Sequence, residues 1–432
     1  MANRRPAAKK QPAGKSAQPK QAAQSKQSMQ PKPAAANPHL LGEILPEGAY
    51  EVEVLPKGLH RVPRGVDELA TEHLIMNMGP QHPSTHGVLH LLLEIDGEEV
   101  ITGEANIGYL HRGIEKLAEH RRYNQVGTLL DRSDYLSGLH SELAFSMAVE
   151  QLAEIEVPRK ANWIRSLVSE LNRIASHLVW MGTFGMDAGS MPGFLYALRE
   201  REALLDILET ITGARMMFNY VRPGGVLMDL PPEVEPMIRA FLADFPTKLE
   251  EYDTLIGKNE IMQARIKGVG VIHRSTALAF GLTGANLRAT GFGWDVRKER
   301  PYAAYPELDF DIPVGETADC WARYLVRMEE MRVSTKLVGQ LLDGMPEGDH
   351  SAKVAKVLRP PAGEAYAAVE SPRGEMGIHL ASDGSDKPYR MRVRGPAYYA
   401  LSIIDEILPG NLIADAVMTA GSLDLVLGEI DR

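Results

Sequence analysis

Cysteine is almost missing from this chain: Cys320 is the single thiol in 432 residues. That excludes an internal disulfide and fits a reducing compartment. It also leaves the chain unable to ligate an iron–sulfur cluster alone, since such clusters usually take four thiolates. Long apolar runs are missing as well. Crossing a bilayer needs about 20 consecutive apolar residues, and charges interrupt every candidate stretch. The chain is therefore expected to sit against a membrane at most. Acids are absent from the first 37 positions, which hold eight Lys or Arg, so the remainder carries 39 basic against 57 acidic residues. No apolar segment follows those early charges, which excludes a secretory signal. A mitochondrial presequence is disfavoured by only two arginines and the lack of an amphipathic period. Residues 1–38, rich in Ala, Gln, Lys and Pro, have too little apolar surface to offset their ordering entropy and are predicted to form a disordered basic tail. Such a tail suits an acidic surface such as lipid headgroups, RNA or a partner, without specifying any nucleic-acid sequence.

What is present suffices for a sizeable core, with 44% apolar residues. A connector bearing Pro and Gly is expected over 39–71. Alternation then predicts a hairpin with arms at 88–95 and 99–104 around Asp96-Gly97, a strong two-residue turn signal. From Leu136 to about Met217 the period is helical, broken at Pro158 and at Pro192-Gly193. Further helices are expected over 232–255 and 317–342, with an irregular glycine-rich stretch at 268–305. The end mixes short strands with a helix near 397–407. The fold class is α+β: a mainly helical core, a small N-terminal antiparallel sheet within 72–107 and a mixed C-terminal segment.

Two loops carry most of the chemistry. Gly79-Pro80-Gln81-His82-Pro83-Ser84-Thr85-His86-Gly87 sets two imidazoles four residues apart, in a segment its prolines and glycines keep out of regular helix. Histidines placed so can donate protons, bind metal or cap carbonyls. A zinc site from His82, His86 and His90 would need one regular strand face, which Pro83 and Gly87 oppose. The second loop, Asp131-Arg132-Ser133-Asp134-Tyr135-Leu136, places ionisable groups directly before an apolar run. Asp131 and Ser133 could cap the next helix. That reading needs neither Arg132 nor Tyr135, whose phenol, with a pKa of about 10, gives up its proton only as the acceptor gains negative charge.

Further motifs stand in order along the chain: Gly108-Tyr109-Leu110-His111-Arg112-Gly113-Ile114-Glu115-Lys116, Glu170-Leu171-Asn172-Arg173, Gly213-Ala214-Arg215-Met216, Val221-Arg222-Pro223-Gly224-Gly225 and Gly428-Glu429-Ile430-Asp431-Arg432. With the two loops, they resemble the family of quinone-site subunits, the D subunits, of respiratory complex I, the proton-pumping NADH–quinone oxidoreductase. The resemblance runs from about Glu72 to Arg432, and that family is itself similar to the large subunit of nickel–iron hydrogenases. It implies one hydrogenase-large-subunit-like domain over 72–432, with the helical core and C-terminal segment at 108–432. It implies quinone as substrate, reduced in a cavity shared with a small partner subunit that carries a [4Fe-4S] cluster. His86 and Tyr135 would donate protons to the headgroup and Asp187 would orient His86, because a neighbouring carboxylate keeps an imidazole charged near neutrality. Cavity positions fall on His82, Arg132, Asp134, Thr183, Met186 and Phe194. Arg112 would lie near the partner's cluster, where a fixed cation raises the potential. Plainer alternatives are Asp187 as a loop residue binding amides, Arg112 as a partner of Glu115, and Thr183, Met186 and Phe194 as core.

Nickel–iron sites need two Cys-x-x-Cys pairs. In this chain the 131–135 loop and residues 428–432 stand in their places without a thiolate, which excludes hydrogen activation, and no metal is expected. Many family members carry histidine after Gly-Ala-Arg-Met; here Met217 follows, and a thioether cannot titrate. The partner's cluster is therefore expected to have a weakly pH-dependent potential. The resemblance also implies other peripheral-arm and membrane-arm subunits as partners, and a peripheral position on the cytoplasmic side of a bacterial inner membrane. A non-catalytic scaffold, or the equivalent subunit of a ferredoxin- or formate-linked relative, are the alternatives. The charged clusters Glu170 with Arg173, residues 199–202, and Asp295 with Arg297 and Lys298 read as interface or structural ion pairs.

Overall fold

Alternation at residues 90–106 produces the first sheet. In the computed structural model, which describes residues 73–81 and 88–432, strands β1 (Leu74–Met78), β2 (His90–Asp96) and β3 (Glu99–Asn106) lie antiparallel in that order. The expected tail and connector, and the loop residues His82 and His86, lie outside the described residues. Gly97 turns the hairpin at φ +63°, a conformation that suits glycine. Leu91, Leu93 and Ile95 share one buried face, the period of two that a sheet covered on one side requires. That face packs on Ile403, Ile404 and Leu408. The hairpin agrees with the sequence reading. β1 has no counterpart in it, because its mostly exposed residues show no alternation.

Two short helices, α1 (Ile114–Ala118) and α2 (Tyr123–Leu130), precede the bundle of α3 (Gly138–Ala153), α4 (Arg159–Asp187) and α5 (Met191–Thr212). Pro158 stands just ahead of α4, as expected. Pro192 differs from expectation: it sits in the first turn of α5, where its missing N–H costs nothing, and the break falls at 188–190. A minimal hairpin, β4 (Val221–Arg222) with β5 (Gly225–Val226), leads to α6 (Val234–Tyr252). The glycine-rich stretch expected to be irregular instead holds the short helices α8 (Arg274–Ala279), α9 (Gly284–Arg288) and α10 (Val296–Glu299), preceded by α7 (Glu260–Ile266). Then α11 (Cys320–Asp343) returns to pack along α4. A second antiparallel sheet, β6 (Gly363–Ser371), β7 (Gly374–Ser382) and β8 (Arg390–Arg394), lies against α3. Last come α12 (Pro396–Leu401), α13 (Ile404–Ile407), α14 (Ile413–Ser422) and α15 (Leu427–Asp431). The architecture is α+β, mainly helical with small antiparallel sheets.

The central helix α4 is buried on nearly every side, yet it carries Arg165, Glu170, Arg173 and His177. Buried charges survive only when paired and hydrogen-bonded. Arg165 meets Glu150 at 3.1 Å. Glu170 takes Arg297 at 3.1 Å, the Tyr305 hydroxyl at 2.6 Å and the Ser334 hydroxyl at 2.6 Å, with Arg173 beside it at 3.2 Å. Burial pushes its carboxyl up, but Arg173 and Arg297 outweigh this and hold it below the usual carboxylate range. The Nε2 of His177 meets Glu330 at 2.7 Å, and Glu330 in turn pairs with Arg288, which reaches Glu370 at 2.7 Å and Asp295 at 3.5 Å. The ion pairs anticipated at Glu170–Arg173 and Asp295–Arg297 are thus parts of one dry network that ties α4 to α9, α10, α11 and β6. Lys298 is not: its ammonium lies 4.1 Å from the Phe310 ring centroid.

Candidate functional site

The Tyr135 loop is set by two turns. Asp131 ends α2, and Asp134 folds the next turn by accepting the backbone N–H groups of Leu136 and Ser137, each at 3.3 Å. Asp134 thus does the work expected of Asp131 or Ser133 at the start of α3. Asp131 instead accepts the Asn219 N–H at 3.2 Å and lies beside the buried carboxyl of Glu142. Burial pushes both of those acids up, and the charge of Asp131 raises Glu142 further. Arg132 is exposed and turned back onto the Thr128 carbonyl at 2.7 Å. Tyr135 is half-buried, and that burial raises its phenol above the ordinary tyrosine value.

Behind this loop stands Arg373, from the turn between β6 and β7. It bonds Asp134 at 2.8 Å, Ser176 at 3.2 Å and Asp424 at 3.3 Å. The loop itself rests on α15: a Cβ built on Gly428 would fall 2.5 Å from the Ser133 carbonyl oxygen and 3.3 Å from Tyr135 Cδ1. The 131–135 loop and residues 428–432 are therefore in contact.

Asp187 is the last residue of α4. Its Oδ2 lies 3.1 Å from where a Cβ on Gly421 would be, and Phe184 Cδ2 lies 3.4 Å from the same point. Trp180 fixes this end by donating its indole N–H to the Gly421 carbonyl at 2.9 Å and stacking on Phe184 at 5.1 Å. Thr183 and Met186 are half-buried on the same last turns, and the Thr183 hydroxyl bonds back to Val179 and Trp180 at 3.0 Å. Phe194 lies across Gly182, 3.2 Å from its missing Cβ. Beside Asp187 opens a cleft of about 290 Å³ bounded by Ala188, Gly189, Ser190, Leu255 and Met262 among others.

Residues 82–87 are not described, but the strands that flank them are. His90 pairs with Asn106 at that end of the sheet, its ring 6.3 Å from Tyr109. Its Nε2 faces Asn77 Oδ1 at 2.8 Å. The adjoining loop is tied to the chain's end: Gly108 and Leu110 donate N–H groups to the Asp431 carboxylate at 2.9 and 2.6 Å, and Arg112 and Gly113 donate to the Arg432 carbonyl at 3.3 and 3.1 Å. Arg112 is exposed. Glu115, offered as its partner, turns instead to Arg390 at 3.5 Å and Arg432 at 3.6 Å. Met217 is half-buried with φ +59°, far from α-helical geometry.

Asp187 thus packs against Gly421 and Tyr135 against Gly428 of the C-terminal segment, to whose last residues the Arg112 loop is pinned. The sequence reading misses Arg373, Asp424 and Glu429, all buried here. One signal existed: Asp424 and Glu429 interrupt an otherwise apolar terminal run, and a charge inside such a run needs a partner. The model of a known family, described as the respiratory-chain NADH dehydrogenase 49 Kd subunit, matches residues 187–360 and 350–432. The NADH-quinone oxidoreductase D subunit numbered 2 in Solibacter usitatus is 47% identical over 84% of this chain and 98% of its own length. The D subunit of the same enzyme in Bacillus mycoides is 46% identical over 84% of this chain and 100% of its own length. For the D subunit of Clostridium beijerinckii the figures are 47%, 84% and 99%. The chain belongs to the 49 Kd subunit family of respiratory-chain NADH dehydrogenase, the D subunits of NADH-quinone oxidoreductase, complex I.

Proposed function

We propose that this chain supplies the proton donors for quinone in a cavity it forms with a small partner subunit carrying a [4Fe-4S] cluster. The observation that carries the reading is that Tyr135 and Asp187 both pack against the C-terminal segment, Gly428 beneath the first and Gly421 against the second. A headgroup with two carbonyl oxygens takes up two electrons and two protons, so it needs two separated donors. Tyr135, kept neutral by burial, serves one oxygen. His86 serves the other by resemblance, four positions ahead of His90 in the chain, with Asp187 holding its imidazole charged.

Electrons come from the partner's cluster, near which exposed Arg112 contributes a fixed positive charge. Thr183, Met186 and Phe194 form an apolar, adaptable wall, while His82, Arg132 and Asp134 line the polar end. The domain so used spans 72–432, preceded by a tail and connector, and works on the cytoplasmic side of the membrane with other peripheral-arm and membrane-arm subunits. Quinone reduction there is coupled to proton translocation elsewhere in the complex.

The test is Tyr135→Phe and His86→Ala in the complex assembled in membranes. Removing a general acid is expected to slow quinone reduction by about 10²–10⁴-fold at normal assembly. Unchanged reduction at normal assembly would leave a scaffold as the better description.

A further inference from the structure

We infer that Arg373 is a positioning residue that fixes the spacing between Tyr135 and Asp187, and so between the two proton donors, Tyr135 and the His86 that Asp187 orients. This rests on the reading of those residues as parts of the quinone site. The Arg373 side chain is buried, and its guanidinium reaches three separate elements. From the Tyr135 loop it holds Asp134, through Nη1 at 2.8 Å. From α4 it holds the Ser176 hydroxyl, through Nη2 at 3.2 Å, about three turns along the helix from Asp187. From the link between α14 and α15 it holds Asp424, again through Nη2, at 3.3 Å. Asp424 stands between Gly421, against which Asp187 packs, and Gly428, against which Tyr135 packs.

The base of this clamp is stiff. Arg373 sits in the turn joining β6 to β7, where Gly374 at φ +130° and Gly284 at φ +64° let two backbones meet. A Cβ on Gly284 would fall 2.6 Å from the Arg373 carbonyl oxygen. Glu375 donates its N–H to the Thr283 hydroxyl at 3.0 Å, and Arg373 donates its own to Ser371 at 3.3 Å. Other bonds tie the clamped elements in pairs. Asn172 of α4 donates to the Leu136 carbonyl at 3.0 Å, and Trp180 of α4 donates to the Gly421 carbonyl. Among the described residues, Arg373 is the one side chain whose hydrogen bonds reach all three elements.

A guanidinium suits that task because its N–H groups form a planar fork of fixed geometry. Asp134 and Asp424 are buried and have no other cation in contact among the described residues, so neither can exchange this partner for water without cost. The Asp134 carboxylate that Arg373 holds is also the one that folds the turn carrying Tyr135. A quinone headgroup presents its two oxygens at a fixed separation, so donors that drift by about 1 Å lose up to about 100-fold in rate.

The experiment measures kcat and KM for quinone in the membrane-assembled complex, for wild type, Arg373→Lys, Tyr135→Phe and the double variant. Lysine keeps the charge that Asp134 and Asp424 need but has one ammonium in place of the fork, and cannot hold all three elements. Assembly is expected to persist, with kcat lower by about 10–100-fold and KM unchanged. Spacing matters only while both donors are present. In the Tyr135→Phe background the same change is therefore expected to cost less than about twofold, whereas a general loosening of the fold would cost the same factor in both. A wild-type kcat in Arg373→Lys overturns the inference, and so does an equal loss in the two backgrounds. If lysine prevents assembly, Ser176→Ala, which removes one contact and no charge, is judged by the same two outcomes. Full activity in Tyr135→Phe would sink the underlying reading of the site and the clamp with it, whereas the other adverse outcomes leave that reading standing.

Discussion

The carboxylate of Asp187 lies against Gly421, with Oδ2 3.1 Å from the point a Cβ would occupy. Seven positions on, Gly428 stands in the same relation to the Tyr135 loop. Neither glycine has a positive φ, so it is space rather than backbone conformation that calls for glycine. Gly428→Ala must push the loop's backbone at Ser133 aside, which is a rigid neighbour. Quinone reduction is expected to fall at least about tenfold with the complex still assembled, because a displacement near 1 Å at a reacting group costs up to about 100-fold. Gly421→Ala meets only side-chain atoms, of Asp187 and Phe184, and should cost less. Rates measured in membranes with matched subunit content decide this, and the reverse order would mean that Asp187, not the Tyr135 loop, is the tightly placed partner.

Glu170→Ala strips the acid from between Arg173 and Arg297. Leaving buried cations without their partner costs about 3–5 kcal/mol, so the chain should be depleted from the assembled complex. Native gels of membranes, with denaturant titration of what assembles, give the measure. Glu170→Gln should be nearly as harmful, since it keeps the volume and loses the charge.

Met217→His tests the departure from the family's pattern. The left-handed backbone at this position, φ +59°, is one that histidine visits more readily than most residues, so the change should be tolerated. With Met217 the partner's cluster is expected to show a potential nearly independent of pH. With histidine the slope should move toward the one-electron, one-proton value of about 59 mV per pH unit. Redox titration followed by EPR at several pH values reads it directly, and a steep slope already present with Met217 would contradict the expectation.

Glu142 predicts a pH dependence of stability. Its folded pKa lies above the unfolded value, chiefly through burial and then through Asp131. The neutral form is thus the one the fold prefers. The contribution is complete below the unfolded value of about 4.5 and is lost as pH rises toward the folded value. Wild-type thermal stability should therefore decline on the alkaline side, and Glu142→Gln, which cannot ionise, should flatten the decline by a few degrees. Parallel curves for the two would show that the Asp131–Glu142 pair does not govern it.

The sequence discloses what local patterns encode. The Asp96-Gly97 turn and the alternation of Leu91, Leu93 and Ile95 specify the hairpin, and Pro158 with the stripe along α4 specifies the long helix. Asp187 was placeable at the end of α4 for the same reason. The helices α1 and α2 were not legible, being too short to show a period. Arg373 was not legible for a different reason: its partners Asp134 and Asp424 lie 239 and 51 positions away, and no local pattern marks such pairings. The dry network around Glu170, Arg288 and Glu330 is hidden in the same way.

The bond from Gly108 to Asp431 spans 323 positions, and the contacts of Gly421 with Asp187 and of Gly428 with Tyr135 also reach back more than half the length of the chain. Closing loops of that length is slow. The helices can therefore associate while the active region is still open, and the final turn latches it shut. Chains trimmed by even a few C-terminal residues should keep their helical content and still lack a quinone site.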